Sequence, residues 1–230
     1  MKSSKSVGRV IGGLLLVQIT GLIVPFVLLL PLTAGPSEYL SNAAASSFQI
    51  KLAVFLLFTN CALTVAISIA AFPIFRQYNE ALALLLVAVS VIMFSLQAVD
   101  NSHILSMLSL SQRFVEAGGQ NELYQAIAAA VGSSRRWAHY SELIAIDAWM
   151  GVFYSLLYRF AVVPRALAAF GLLTVLLHFT GIILPVWLGY PSVTLMGASM
   201  ALGHIVLGIW LVARGFRRQP PAIGAEVGIE

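Results

Sequence analysis

Six long runs of apolar residues, separated by polar stretches, make up most of this 230-residue chain. The runs cover about residues 10–32, 48–75, 81–105, 137–160, 166–187 and 193–212. Each is long enough to cross a bilayer, because a hydrocarbon core about 30 Å thick takes roughly 20 helical residues. The pattern therefore predicts an all-α, polytopic integral membrane protein, with a bundle of six transmembrane helices in a single domain over residues 1–216.

The polar stretch between the third and fourth runs, residues 106–136, is the longest. Its apolar residues recur at roughly helical spacing. This pattern is typical of amphipathic helices that lie at the membrane interface, so we expect an interfacial amphipathic segment between spans 3 and 4. Residues 217–230 contain proline and glycine, and we expect a disordered cytoplasmic tail there.

The basic residues predict the orientation, because cytoplasmic loops carry an excess of lysine and arginine. With six spans both termini share one side, which holds nine basic residues: Lys2, Lys5, Arg9, Arg76, Arg159, Arg165, Arg214, Arg217 and Arg218. The other side holds four: Lys51, Arg113, Arg135 and Arg136. We therefore expect a multi-pass protein of the plasma membrane with its N- and C-termini in the cytoplasm.

Composition supports a membrane protein and excludes several function classes. Hydrophobic residues make up 60% and charged residues 10% of the chain, against about 45–50% and about 25% in soluble domains. The lipid bilayer is thus the expected partner. Nucleic acid is excluded despite the net charge of +4, because the basic residues lie at span ends rather than in a patch. The single Cys61 excludes an internal disulfide and c-type haem attachment.

Ionisable side chains within the spans form the candidate site, since a charge inside a bilayer is costly and usually functional. At a rise of 1.5 Å per residue, Asp147, His178 and His204 lie about 10–17 Å from the outer ends of their spans. Imidazole and carboxylate groups bind transition metals, so we predict a metal site at these residues. A second layer of candidate ligands, nearer the outer surface, consists of Asp100, His103 and His139.

Helical phase separates the acidic residues of span 4. At about 100° per residue, His139 and Asp147 lie about 80° apart, whereas Glu142 lies about 140° from Asp147. We therefore expect His139 and Asp147 to share an inward face, and Glu142 to point to lipid headgroups or to pair with Arg135 or Arg136. Asp100 could pair with one of the same arginines.

Other functions stay open at this point. His178 and His204 match in depth and would suit a b-type haem as axial ligands. Buried acids and histidines also carry protons or cations in transporters, although six spans are few for a transporter unless it forms a homo-oligomer. A structural hydrogen-bond network between helices is the third alternative. The chain has no H-E-x-x-H pair, so residue spacing along the chain gives little support to a metal site. The sequence identifies neither a catalytic residue nor a small-molecule ligand.

Three motifs resemble a known family. They are the turn Phe75-Arg76-Gln77-Tyr78-Asn79-Glu80, the stretch from Tyr154 to Leu167 with Val163-Pro164-Arg165, and the final stretch from Leu207 to Phe216. Together they are similar to the bacterial membrane family called domain of unknown function 4386. The resemblance implies a helical bundle of about this length in a bacterial inner membrane. It implies no activity.

Overall fold

The structure, a computed structural model, describes residues 4–33, 35–119 and 122–217. All regular structure in these residues is helical. The helices are α1 (Ser4–Leu28), α2 (Leu30–Thr33), α3 (Pro36–Asn42), α4 (Ser47–Phe75), α5 (Glu80–Glu116), α6 (Glu122–Arg159), α7 (Arg165–His178), α8 (Leu184–Leu188) and α9 (Thr194–Arg214). A 3₁₀ turn (Ala44–Ser46) precedes α4, and a π-helical turn (Phe179–Ile183) joins α7 to α8. Of the tail predicted over residues 217–230, all but Arg217 lies outside the described residues.

Four helical segments in the described ranges are long and apolar enough to cross a membrane. They are Ala44–Phe75, Glu80–Glu116, Arg165–Leu188 and Leu195–Arg214. These segments coincide with predicted spans 2, 3, 5 and 6, which confirms an all-helical chain with several candidate spans. Predicted spans 1 and 4 coincide with α1 and α6, and their crossing of the membrane stays a prediction.

The segment between spans 3 and 4 differs from its prediction. We expected short interfacial helices over residues 106–136, but α5 continues to Glu116 and α6 begins at Glu122. Gly118 and Gly119 follow α5 at φ 88° and 74°, a backbone conformation that glycine adopts without strain. A helix as long as α5 or α6 extends about 55 Å, well beyond a core about 30 Å thick. The helical spacing is confirmed, but it belongs to two long helices.

The chain forms two compact units. Of the described residues, the first unit comprises 4–17, 65–90 and 146–217, and the second comprises 18–64 and 91–145. Helices α1, α4, α5 and α6 contribute residues to both units, so the units are not successive domains along the chain.

In the second unit, α3 is fixed by buried hydrogen bonds as well as by apolar packing. The Tyr39 hydroxyl donates to the carbonyl of Ala128 on α6 at 3.1 Å. Burial raises the pKa of Tyr39 to about 12, so the hydroxyl keeps its proton near neutral pH. The Ser111 hydroxyl of α5 donates to the carbonyl of Leu40 and accepts from the amide of Ala44, each at 2.8 Å. Helix α3 is thereby held against both α5 and α6.

The first unit contains a cluster of aromatic rings. Phe75 lies 6.2–6.4 Å from the ring centres of Phe153, Phe160 and Phe216. Tyr78 stacks on Phe160 at 4.7 Å, and burial raises the pKa of its hydroxyl. Aromatic pairs at such distances contribute about 0.5–1.5 kcal/mol beyond the area they bury. Four of the five rings, all except Phe153, belong to the motifs that resemble the family, so these motifs converge in a structural core.

Helices α1 and α9 approach closely where both lack side chains. A Cβ atom added to Gly12 would lie 2.7 Å from Cβ of Leu211 and from the amide nitrogen of Val212. A Cβ atom on Gly208 would lie 2.8 Å from the Leu16 side chain. Small residues allow such contact between membrane helices, where van der Waals packing provides much of the attraction.

Replacing Gly12 by alanine is expected to lower the Tm of the detergent-solubilised protein, because the new methyl group would overlap α9. Overpacking typically costs about 1–3 kcal/mol, and each ~1 kcal/mol shifts Tm by about 2–4 °C at this chain length. Gly13→Ala is the matched control, since a Cβ there meets no described atom within 4 Å and alanine favours a helix. Equal Tm values for the two variants would contradict this packing.

Candidate functional site

Two long helices of the second unit bring four titratable side chains together. We call Asp100 of α5 and Arg135, His139 and Glu142 of α6 the Asp100 cluster. Nε of Arg135 lies 3.2 Å from Oδ1 of Asp100. Nδ1 of His139 lies 3.8 Å from Oδ2 of Asp100 and 3.5 Å from Oε2 of Glu142. Ligand atoms of Asp100, His139 and Glu142 all lie within 4.8 Å of one another, so all three could reach one ion.

The sequence spacing explains why three of these side chains share a face. Arg135, His139 and Glu142 are four and three residues apart, so they follow one another along one side of α6. His139 and Glu142 are separated by about 60° around the helix, less than the angle between His139 and Asp147. Asp100 meets this stripe from the neighbouring helix α5.

The carboxylates of the Asp100 cluster are buried, and its nitrogen-bearing side chains are partly open. Side-chain exposure is 1% for Asp100 and 5% for Glu142, against 23% for Arg135 and 29% for His139. Oδ1 of Asp100, Nε of Arg135 and Nδ1 of His139 are buried atoms that form no hydrogen bond with any described residue. Their close contacts are the ion pairs within the cluster, at 3.2–3.8 Å. Buried polar atoms are normally hydrogen-bonded, so a ligand could supply bonds that these ion pairs lack.

Amides next to the Asp100 cluster are bonded to one another. Nε2 of Gln97 donates to Oδ1 of Asn101 at 3.1 Å, and Sγ of Cys61 donates to Oε1 of Gln97 at 3.5 Å. Asn101 in turn donates to the carbonyl of Val54 at 3.5 Å. These bonds connect α5 with α4 and restrict the rotation of the helix that carries Asp100.

The first unit holds a separate polar pair. Nδ1 of His178 on α7 lies 2.8 Å from Oδ1 and 3.0 Å from Oδ2 of Asp147 on α6. Both residues are buried, with 7% and 6% of their surface exposed. When Nδ1–H donates to the carboxylate, Nε2 becomes the nitrogen that can accept a proton or bind a metal.

A π-helical turn begins directly after His178. Pro185 has no amide hydrogen and so cannot bond to the carbonyl of Gly181, four residues earlier. That carbonyl instead accepts from the amide of Val193, the residue before α9, at 2.8 Å. Turns of this kind are frequent at functional sites. Here the turn also ties the end of the span to α9.

The predicted set Asp147, His178 and His204 is brought together only in part. Asp147 and His178 are bonded. His204 is half-buried, and its ring bonds to the backbone of Met200 on its own helix. In the described part of the chain, neither His204 nor His103 joins a group of three ligand atoms within 4.8 Å.

Glu142 differs in part from its expectation. It does not face the headgroups away from His139 but is buried beside it. The alternative of an arginine partner is closer, since Arg135 belongs to the same cluster and interacts with Glu142. The helical angle between Glu142 and Asp147 does not predict this contact, because Asp147 belongs to the first unit and binds His178. The spacing of three residues between His139 and Glu142 was the signal that could have identified this pair. The alternative pairing of Asp100 with Arg135 is confirmed.

Replacing His178 by leucine is expected to destabilise the protein strongly, because it leaves a buried carboxylate without its partner. Breaking a buried pair in this way costs roughly 3–5 kcal/mol. The double variant Asp147→Leu with His178→Leu should recover much of the loss, since apolar replacement of both partners is often neutral. Thermal unfolding in detergent measures both. A single variant as stable as the wild type would contradict a pair that contributes to the fold.

Comparison with known proteins identifies one family. The model of the family described as a domain of unknown function, DUF4386, matches residues 10–215. Neither a curated protein nor a solved structure matches the chain. The match covers nearly the whole sequence, including the first two motifs and all but the last residue of the third, so the resemblance is confirmed. This chain is a member of the DUF4386 family.

Proposed function

We propose that the Asp100 cluster binds a divalent transition-metal ion through Asp100, His139 and Glu142. The observation that carries the proposal is the mutual distance of their ligand atoms, all within 4.8 Å. Oδ1 of Asp100 adds support, because this buried atom faces Nε of Arg135 at 3.2 Å but forms no hydrogen bond with a described residue. Two of the three residues belong to the second layer of predicted ligands, and Glu142 replaces His103 as the third.

The donor set indicates the class of metal. Two carboxylate oxygens and one imidazole nitrogen suit manganese, iron or zinc, whereas a softer set of thiolates would select other ions. Three protein ligands leave a coordination position open, as in catalytic rather than purely structural sites. A metal bound there would supply Lewis acidity and could activate water.

We propose in addition that α1 and α6 complete a six-span bundle in a bacterial inner membrane, with both termini cytoplasmic. The excess of basic residues on the side of the termini supports this orientation. The Asp100 cluster then lies toward the outer end of spans 3 and 4. A fluorescent reporter fused to the C-terminus tests the orientation.

The sequence-based alternative, a metal at Asp147, His178 and His204, stays a second location for the ion. Haem between His178 and His204 is disfavoured by packing. A Cβ atom on Gly203 of α9 would lie 2.6 Å from Oγ1 of Thr174 on α7. Helices in such direct contact leave no gap for a porphyrin.

Transport of protons or a cation is the second candidate function. The buried bond between Asp147 and His178 favours it, because paired ionisable residues inside membranes often mark proton pathways. Reconstituted protein should then acidify vesicles when a potential is applied, and Asp147→Asn should abolish the flux. A flux that the variant retains would remove Asp147 from the pathway.

Metal binding is tested on the full chain purified in mild detergent and incubated with Mn²⁺ or Zn²⁺. Elemental analysis after removal of unbound ions should give about one metal per chain, because three protein ligands define one ion site. Glu142→Gln removes one ligand charge and should weaken binding by about 10-fold or more. Glu116→Gln is the matched control, since Glu116 is exposed at the end of α5.

The outcomes separate the proposed locations. A folded wild type that binds no metal would contradict the proposal. Metal that survives Glu142→Gln but is lost in a His178→Ala with His204→Ala variant that stays folded would move the site to the first unit. Equal losses in Glu142→Gln and Glu116→Gln would indicate a general charge effect rather than a ligand.

A further inference from the structure

We propose that the metal-loaded Asp100 cluster binds a phosphate group between the metal and the guanidinium of Arg135. This inference rests on the metal proposed above and names the class of ligand that the same site takes. Three features carry it: the charge of the loaded site, the position of Arg135 and the level of the site along α6.

A divalent ion reverses the charge of the cluster. As metal ligands, Asp100 and Glu142 are deprotonated and His139 is neutral, so together with Arg135 the ligand groups carry one net negative charge. A divalent metal leaves one positive charge in excess. Both carboxylates are buried, and an uncompensated charge in such surroundings is costly. An anion at the open coordination position restores neutrality.

Arg135 is positioned to contact that anion. Its Nε lies 3.2 Å from Oδ1 of Asp100 without forming a hydrogen bond to a described residue. A metal ion bound to Asp100 would neutralise the carboxylate charge that attracts Arg135, so the guanidinium could bind another anion. A guanidinium presents a planar fork of donors that matches phosphate oxygens. With 23% of its side chain exposed, Arg135 reaches both the carboxylates and the outside of the cluster.

The neighbouring Trp137 indicates which anion is within reach. Tryptophan concentrates at the boundary between membrane and water, and Trp137 is 49% exposed. It lies two residues after Arg135 and two before His139. The cluster therefore begins at the level of the lipid headgroups, where phosphate is the common anion. Its phosphate comes from a headgroup or from solution.

The test is thermodynamic linkage between Mn²⁺ and phosphate on the full-length protein. Two ligands that stabilise each other at one site raise each other's affinity by the same factor. Titration of Mn²⁺ by calorimetry should show about 10-fold tighter binding when inorganic phosphate is present. Arg135→Gln should bind Mn²⁺ alone at least as tightly as the wild type, because a competing cation is gone, but should lose most of the phosphate effect.

Arg136→Gln is the matched control, since the adjacent Arg136 is exposed. It should keep the phosphate effect. Retained Mn²⁺ binding by Arg135→Gln demonstrates an intact cluster, so its lost phosphate effect does not reflect unfolding. A phosphate effect of equal size in Arg135→Gln and in the wild type would overturn the role of Arg135.

Failure of this inference is distinguishable from failure of the metal site. Wild-type protein that binds Mn²⁺ with no phosphate effect overturns the phosphate inference and leaves the metal proposal standing. Wild-type protein that binds no Mn²⁺ overturns both. Acetate that acts as strongly as phosphate would overturn the assignment to phosphate.

The source of the phosphate is decided in phosphatidylcholine nanodiscs with and without phosphatidic acid. The Mn²⁺ affinities of the wild type and of Arg135→Gln are compared in the same nanodiscs. Mn²⁺ that binds directly to lipid contributes equally to both measurements, so it does not affect their difference. A difference already present in phosphatidylcholine alone, or one that appears only with phosphatidic acid, supports a lipid headgroup. A difference that requires added inorganic phosphate supports a free anion, and no difference in either arm overturns the proposal.

Discussion

A carboxylate among apolar helices needs a partner of opposite charge or a hydrogen-bond donor, and this constraint governs the structure. Transfer of an unpaired ion out of water costs several kcal/mol even after relaxation, roughly as much as a whole fold can spare. Asp100 meets the requirement through Arg135, and Asp147 through His178. Each pair joins α6 to a different neighbour, so α6 can rotate little without exposing a charge.

Element type and length could be predicted from the sequence because they depend on local composition. Apolar runs long enough to span a bilayer became helices, as at α4, where the predicted start at residue 48 is one residue from the observed start at Ser47. The ends of α5 and α6 could not be placed in this way. Hydrophobicity declines after Leu105, but no proline or glycine stops the helix before Gly118. A decrease in hydrophobicity marks a predicted membrane boundary, and it does not end a helix.

The candidate site was predicted less well, because its members depend on helix rotation. The sequence identified Asp100, His139, Asp147 and His178 as unusual, and each has a charged or hydrogen-bonding partner in the structure. It could not assign partners, since phase relates residues on one helix and gives no angle between helices. The helical angle between Glu142 and Asp147 therefore gives no information about the residue that Glu142 contacts, which is His139. Depth likewise grouped His204 with His178, although His204 bonds to the backbone of its own helix.

The π-helical turn after His178 has a consequence for how the family varies. A π turn holds one residue more than an α turn, so Phe179–Ile183 amounts to a single inserted residue within an otherwise regular span. Deleting one residue here would leave the helix on either side in its original register. Family members aligned with a one-residue gap at this point are expected to have one continuous α-helix in place of α7, the π turn and α8. Comparing such members with this chain would separate the role of the histidine from that of the π turn beside it.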